Sequence, residues 1–339
     1  MSKKPAFIIV IGTSAGGIKA IEKIVGQFNP DMDAAIFVVH HLSKSNGEEF
    51  LVERFQKATA LKCELGKEGT KIKKGTIYIA PPNEHLLVKE DHIVLGHGPE
   101  ENRWRPSIDV LFRSAAAAYN TRVIGIILTG LLNDGTAGMW AIKRSGGTCI
   151  VQDPKDAEFP DMPISILDHM DVNYSVPLNE IVPVIDKIML SLPEEIPAPP
   201  DVIAESRISE KAAIGHEEVE QLGQHSIYAC PDCGGNLWQI SDKENIKRYR
   251  CHIGHSYTQR DLLIKQGEAL ETTLWISLRI MEERRNLLNE ISNKVQKKGL
   301  KKIAEDQRQK SEQLEVHINK LKEILMDNEK MTALASTVN

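Results

Sequence analysis

Ser14 stands in the run Gly12-Thr13-Ser14-Ala15-Gly16, and His40-His41 and Asp134 lie further along the chain. A serine hydroxyl is a useful nucleophile at neutral pH only beside a general base, and the base works best when a third group orients it. Serine, histidine and aspartate brought together would serve acyl transfer on an ester or amide. The plainer alternatives are that Ser14 only caps a helix, that Asp134 in Asn133-Asp134-Gly135 is a turn residue, and that the histidines are structural. A second group of reactive residues lies beyond residue 226. Cys230-Pro231-Asp232-Cys233-Gly234-Gly235 is followed by Arg250-Cys251-His252-Ile253-Gly254-His255. Cys230, Cys233, Cys251 and His255 have the Cys-x2-Cys-x17-Cys-x3-His spacing of a zinc ribbon, with His252 competing for the fourth place. Four protein ligands leave no open coordination position, so such a zinc is structural, and catalysis needs no cofactor. A redox Cys-x-x-Cys would require a helix after the pair, whereas Gly234-Gly235 suits a tight knuckle.

Both groups need elements to hold them. Phe7 to Ile11 is an unbroken apolar, β-branched run that suits a strand buried on both faces, and the helix after it carries Ile18, Ile21, Ile24, Val25 and Phe28 at helical spacing. Further strands are expected at 34–39, 75–80, 123–128 and 148–152, a hairpin at 86–88 with 93–95, and helices opening at Pro106-Ser107, after Asp134, and over 178–190. Strands alternating with helices imply an α/β fold with a doubly wound, mostly parallel sheet. Ser14, His40-His41 and Asp134 each follow directly on one of these strands. They would therefore share the carboxyl-end rim of the sheet, where ligands bind in such folds. The chain order Ser…His…Asp differs from the Ser…Asp…His of the usual α/β-hydrolase.

The 339 residues, 41% hydrophobic and 26% charged, allow a soluble core, and the net charge of −5 argues against a nucleic-acid partner. No apolar run approaches a membrane span, and the first strand starts so early that a signal peptide has no room, so a cytoplasmic protein is expected. The cysteine distribution, two isolated and three clustered, fits a reducing compartment.

Several motifs in order resemble the catalytic domain of chemotaxis protein-glutamate methylesterases. They are Ile11-Gly12-Thr13-Ser14-Ala15-Gly16-Gly17, His41-Leu42, Tyr78-Ile79-Ala80-Pro81, Asn102 with Arg105-Pro106-Ser107-Ile108-Asp109-Val110-Leu111-Phe112, and Leu128-Thr129-Gly130 with Asn133-Asp134-Gly135-Thr136-Ala137-Gly138-Met139. The likeness spans roughly residues 6 to 190. It implies a triad of Ser14, His41 and Asp134, and it favours His41 over His40 because the family has one histidine there, followed by an apolar residue. It also implies hydrolysis of glutamyl methyl esters on a chemoreceptor-type protein, with a related glutamine deamidation. Backbone N–H groups near Leu131 and His41 would bind the oxyanion, and His85 and Arg105 read as solvated rim-loop residues. Typical members carry an N-terminal phosphoacceptor domain, which is expected to be absent here.

The expected division is a catalytic domain over 1–192, a linker over 193–226 that is Pro-rich, acidic and extended over 193–200 and polar with weak helical character at most over 201–226, a zinc ribbon over 227–260 and a helical hairpin or coiled coil over 261–330. Leu274, Leu278, Met281, Leu288, Ile291 and Val295, then Leu314, Ile318, Leu321 and Leu325, carry the helical period on either side of Gly299. On this division the ribbon is a separate module, and hydrolysis would survive loss of its metal. The competing reading is a scaffold in which the ribbon and helices recruit partners and the α/β domain is a vestigial hydrolase.

Overall fold

The computed structural model describes residues 4–41, 48–210, 220, 222–241 and 247–337. Leu42 of the His41-Leu42 motif lies outside the described residues. The elements run β1 (Phe7–Thr13), α1 (Gly17–Val25), β2 (Ala34–His40), α2 (Glu48–Ala58), β3 (Lys62–Leu65), β4 (Thr76–Ile79), β5 (His85–Val88), β6 (Ile93–Gly96), α3 (Ile108–Tyr119), β7 (Val123–Ile127), α4 (Thr136–Arg144), β8 (Thr148–Gln152), α5 (Asp161–His169), β9 (Tyr174–Val176) and α6 (Ile181–Ile188). Then follow α7 (Pro200–Glu210), β10 (Gln224–Ala229), β11 (Asn236–Ser241), β12 (Lys247–Cys251), β13 (Ser256–Thr258), α8 (Gln259–Lys297) and α9 (Lys301–Thr337).

Seven strands form one parallel sheet in the order β3-β4-β2-β1-β7-β8-β9, so the chain winds outward in both directions from the β1–β7 junction. Strand side chains alternate faces, which is why β1 feeds two cores. Ile8 and Val10 join the cluster of Leu111, Phe112, Met139 and Trp140, while Phe7, Ile9 and Ile11 join Ile21, Ile24, Phe55 and Ile181. Both strand faces are buried, as the continuous apolar runs required. β5 and β6 pair antiparallel as the expected hairpin.

Contacts divide the chain into two compact units, Met1–Asp261 and Leu262–Asn339. In the second, Leu278, Ile318 and Leu325 form a seam with Leu274, Met281, Leu314 and Leu321, and the chain turns at Gly299, whose φ is 81°. The helical hairpin is therefore present.

Within the first unit, the linker stretch expected to have weak helical character at most contains α7. Val202, Glu205, Ser206, Ile208 and Ser209 of this helix are buried. Its buried polar residues have partners from far along the chain. Arg248 of β12 donates to Glu205 through both Nη atoms, at 2.8 and 3.1 Å. Arg113 of α3 donates to Glu101 Oε2 (2.7 Å) and Ser209 Oγ (2.8 Å), and Arg250 of β12 pairs with the same Glu101 oxygen at 2.7 Å. Burial alone would raise Glu205, but Arg248, Arg113 and Arg250 overcome it and bring its carboxyl down to about 2.

A buried ion cluster is costly to half-dismantle, because the remaining charges keep their desolvation penalty. Glu205→Ala is expected to cost about 3–5 kcal/mol of unfolding free energy in urea titrations. The pH dependence has a definite sign. A carboxyl held at about 2 instead of 4.5 contributes stability above pH 4.5 that drains away as the pH falls toward 2. The variant should lose that part of the wild-type acid sensitivity.

Candidate active site and metal centre

The three central strands place the candidate residues. Thr13 pairs with His40, so Ser14 and His41 occupy the next step of two neighbouring parallel strands, whose axes lie about 4.8 Å apart. On the other side of β1, Leu128 N–H donates to Gly12 O (3.0 Å), and the loop after β7 carries Asp134. The elbow at Ser14 depends on two glycines. Gly16 has φ 74°, the left-handed region that a side chain resists, and a Cβ at Gly130 would collide with Met162 Sδ and press on Ser14. Thr13 Oγ1 donates to Thr129 O (2.6 Å) and Ser14 N–H to the same carbonyl (3.2 Å), tying the elbow to the β7 loop.

His41 Nε2 lies 3.0 Å from Asp134 Oδ2, with both side chains almost fully buried. An ionised carboxylate can only accept, so Nε2 carries the hydrogen and Nδ1 holds the lone pair. That Nδ1 is buried and has no hydrogen-bond partner. His40 does not reach Asp134; burial, with His41 beside it, lowers its pKa to about 4.

Asp134 is surrounded by donors. Its Oδ2 accepts from Ile108 N (2.7 Å), and its Oδ1 from Asn102 Nδ2 (3.0 Å), Ser107 Oγ (3.0 Å) and Asp109 N (3.3 Å). The N-terminus of α3 thus points at this carboxylate and favours its charge. Burial opposes ionisation of Asp134, but His41, Asn102 and Ile108 hold it below the usual carboxylate range. Asp109 is the opposite case. Burial and then the Asp134 charge push it up to about 7, so the two neighbouring carboxyls are shifted in opposite directions.

Two further residues, Gly138 and Trp104, complete this surround. Asn102 Nδ2 also donates to Asp109 Oδ2 (2.6 Å), Gly138 N–H to Asp109 Oδ1 (2.6 Å), and the Trp104 ring stacks on His41 with centroids 4.0 Å apart and planes at 7°. The sequence motif contained Asn102, Ser107 and Asp109 but assigned them no contact, and nothing in the sequence pointed to Trp104.

Two expectations are corrected. His41 N–H donates to Thr13 O at 3.1 Å, so it is spent on the sheet ladder and is no oxyanion donor. His85 is buried rather than solvated. It accepts from Ser107 N–H at Nδ1 (3.2 Å), which leaves Nε2–H to donate to Pro99 O (2.9 Å), and it steadies the start of α3. Arg105 Nη1 likewise donates to Gly98 O (2.8 Å).

The second group of residues sits in a four-stranded antiparallel sheet, β10-β11-β12-β13. One ligand atom from each of Cys230, Cys233, Cys251 and His255 lies within 4.8 Å of the others. Cys233 Sγ and Cys251 Sγ are 3.7 Å apart, and Cys251 Sγ and His255 Nδ1 are 3.4 Å apart. Tetrahedral zinc with ordinary bond lengths requires about 3.8 and 3.5 Å. The donor set therefore fits a closed four-coordinate metal site. His252 is outside this set, its ring against Gly235, where a Cβ would approach Cε1 to 3.1 Å. The knuckle forms as Cys230 N–H donates to Gly235 O (2.7 Å) and Gly234 N–H to Cys230 O (2.8 Å); a strand, not a helix, follows.

A family model described as CheB methylesterase matches residues 9–185. A Leptospira interrogans protein provisionally named protein-glutamate methylesterase/protein-glutamine glutaminase is 41% identical over 175 residues, 51% of this chain and 90% of that one. A Methanosarcina mazei protein-glutamate methylesterase/protein-glutamine glutaminase is 34% identical over 54% of this chain and 52% of its own, so this chain spans about half of that relative. The crystal structure of the Thermotoga maritima CheB methylesterase catalytic domain superposes with a TM-score of 0.52 at 30% identity, covering 54% of this chain and 98% of that one.

Proposed function

Because the chain belongs to the CheB methylesterase family, we propose that it is a serine hydrolase that removes methyl esters from glutamyl side chains of a chemoreceptor-like protein, and that it deamidates glutamine by the same route. The observation that carries this reading is the buried His41–Asp134 pair one register step from Ser14, with the second imidazole nitrogen unpartnered. Ser14 Oγ attacks the ester carbonyl while His41 Nδ1 takes the hydroxyl proton. Asp134, held ionised by its donors, stabilises the imidazolium through Nε2–H. The tetrahedral intermediate collapses, His41 returns the proton to the departing methoxide, and methanol leaves an acyl-Ser14. Water, deprotonated by His41, then releases the carboxylate. With glutamine the leaving group is ammonia. The backbone at Leu131, in the exposed loop after β7, is the oxyanion candidate.

The Cys230, Cys233, Cys251 and His255 set is read as the site of one structural zinc, which would fix the ribbon and supply no step. Residues 1–192, 227–260 and 261–330 are read as catalytic, ribbon and helical parts of a cytoplasmic signalling enzyme. No described helix is long and apolar enough to cross a membrane.

A fluorophosphonate probe should label the full chain at Ser14, and the protein should release methanol from a methylated receptor. A chain that is folded yet neither labels nor releases methanol would instead be a scaffold carrying a vestigial hydrolase.

A further inference from the structure

The four-residue turn Glu101–Trp104 touches the candidate site at two points. Asn102 Nδ2 donates to Asp134, and the Trp104 ring covers His41. Its backbone is left-handed at two successive residues, with φ of 50° at Asn102, which asparagine tolerates, and 72° at Arg103, which arginine resists. Such a conformation persists only when the surroundings over-determine it.

The ribbon supplies much of those surroundings. Asn102 N–H donates to Ser256 O of β13 (2.8 Å), and Glu101 forms a parallel bridge with Ser256. The Glu101 carboxylate is gripped by Arg250 of β12 and by Arg113, and it accepts from Ser209 Oγ (3.0 Å). A separate contact reaches the other side of the site. Asn133, next to Asp134, donates from Nδ2 to Thr258 Oγ1 at 2.9 Å, and Thr258 in turn donates to Asp261 Oδ2 at 2.6 Å. Glu101, Asn102, Arg250, Ser256 and Asp261 are all at most 3% exposed.

We infer that the ribbon is a positioning element of the hydrolase site: Ser256, Arg250 and Thr258 hold the Glu101–Trp104 turn and the Asn133 loop, and through them the His41–Asp134 pair. The inference rests on the esterase reading and goes beyond it. Ribbon residues touch no reacting atom, so their effect is on turnover, with the ground-state binding of a small ester left alone.

The test is steady-state hydrolysis of a small methyl ester by full-length variants. Arg250→Met and Thr258→Val should each lower kcat by about 10- to 100-fold, as small displacements of catalytic groups do, with KM within about two-fold of wild type. Arg250→Lys and Thr258→Ser should recover most of the loss, because each retains the charge or the hydroxyl. Should Arg250→Met not fold, the Thr258 pair carries the test alone. Folded variants with wild-type kcat, or with losses confined to KM, would overturn the inference while leaving the esterase reading intact. Loss of melting temperature with unchanged turnover per folded molecule would overturn it too. A wild-type chain that neither labels with fluorophosphonate nor hydrolyses esters fails at the earlier step and removes both.

Discussion

Ser14→Ala is expected to abolish ester hydrolysis and fluorophosphonate labelling, with kcat reduced by about 10^4- to 10^6-fold, while the unfolding free energy changes by no more than about 0.5–1 kcal/mol. The hydroxyl is small and sits at an elbow whose backbone is held by Thr129, Gly16 and Gly130, so its loss leaves the packing as it was. His41→Ala should cost nearly as much turnover, since nucleophile and base act as a unit. It should also cost stability, because it removes the Trp104 stack and a donor to a buried carboxylate. His40→Ala discriminates between the neighbouring histidines. It lacks any contact with Asp134 and should leave kcat within a few-fold of wild type. Turnover that survives His41→Ala and dies with His40→Ala would reverse the histidine assignment.

Metal removal is expected to produce the second large effect. Elemental analysis should find about one zinc per chain, and chelation should unfold the ribbon, since structural zinc in small modules contributes about 10–16 kcal/mol of apparent free energy at neutral pH. A freely tethered ribbon would have melted without affecting hydrolysis. The buried ion cluster changes that expectation. Arg248 and Arg250 of β12 neutralise Glu205 and Glu101, and their departure leaves buried charge beside Arg113 in the catalytic sheet's own helix α3. Chelation should therefore lower the melting temperature of the whole first unit and depress turnover. Truncation after Leu192, which removes α7 as well, should do the same more severely. Full small-ester activity and an unchanged melting temperature in the metal-stripped chain would show that the cluster couples nothing.

The helices and strands of the sheet were legible because a strand buried on both faces must be continuously apolar and a helix packed on it must be apolar on one side. Phe7–Thr13, Ala34–His40 and Val123–Ile127 satisfy the first condition. The candidate site was partly legible, because Ser14 and His41 follow directly on β1 and β2, Asp134 lies in the loop after β7, and topology delivers strand ends to one rim. The Cys-Cys and Cys-His spacing pointed to a cluster for a similar reason, since each tight pair closes its own turn and the two turns meet. Other features carried no local signal. α7 is a short helix whose buried residues include Glu205, Ser206 and Ser209, so its composition reads as solvated chain. Glu205 is accommodated there because Arg248 of β12, some forty residues later, arrives to pair with it, and Ser209 because Arg113 of α3 donates to it. Trp104 is an ordinary loop aromatic until the turn at Asn102 and Arg103 lays it on His41. Residue types and spacing thus determined which groups could do the chemistry. Only tertiary structure decided which histidine meets Asp134, that Asp109 and Asp134 are shifted in opposite directions, and that ribbon residues bond to the loops beside the site, because each depends on partners distant in sequence that share one low-dielectric interior.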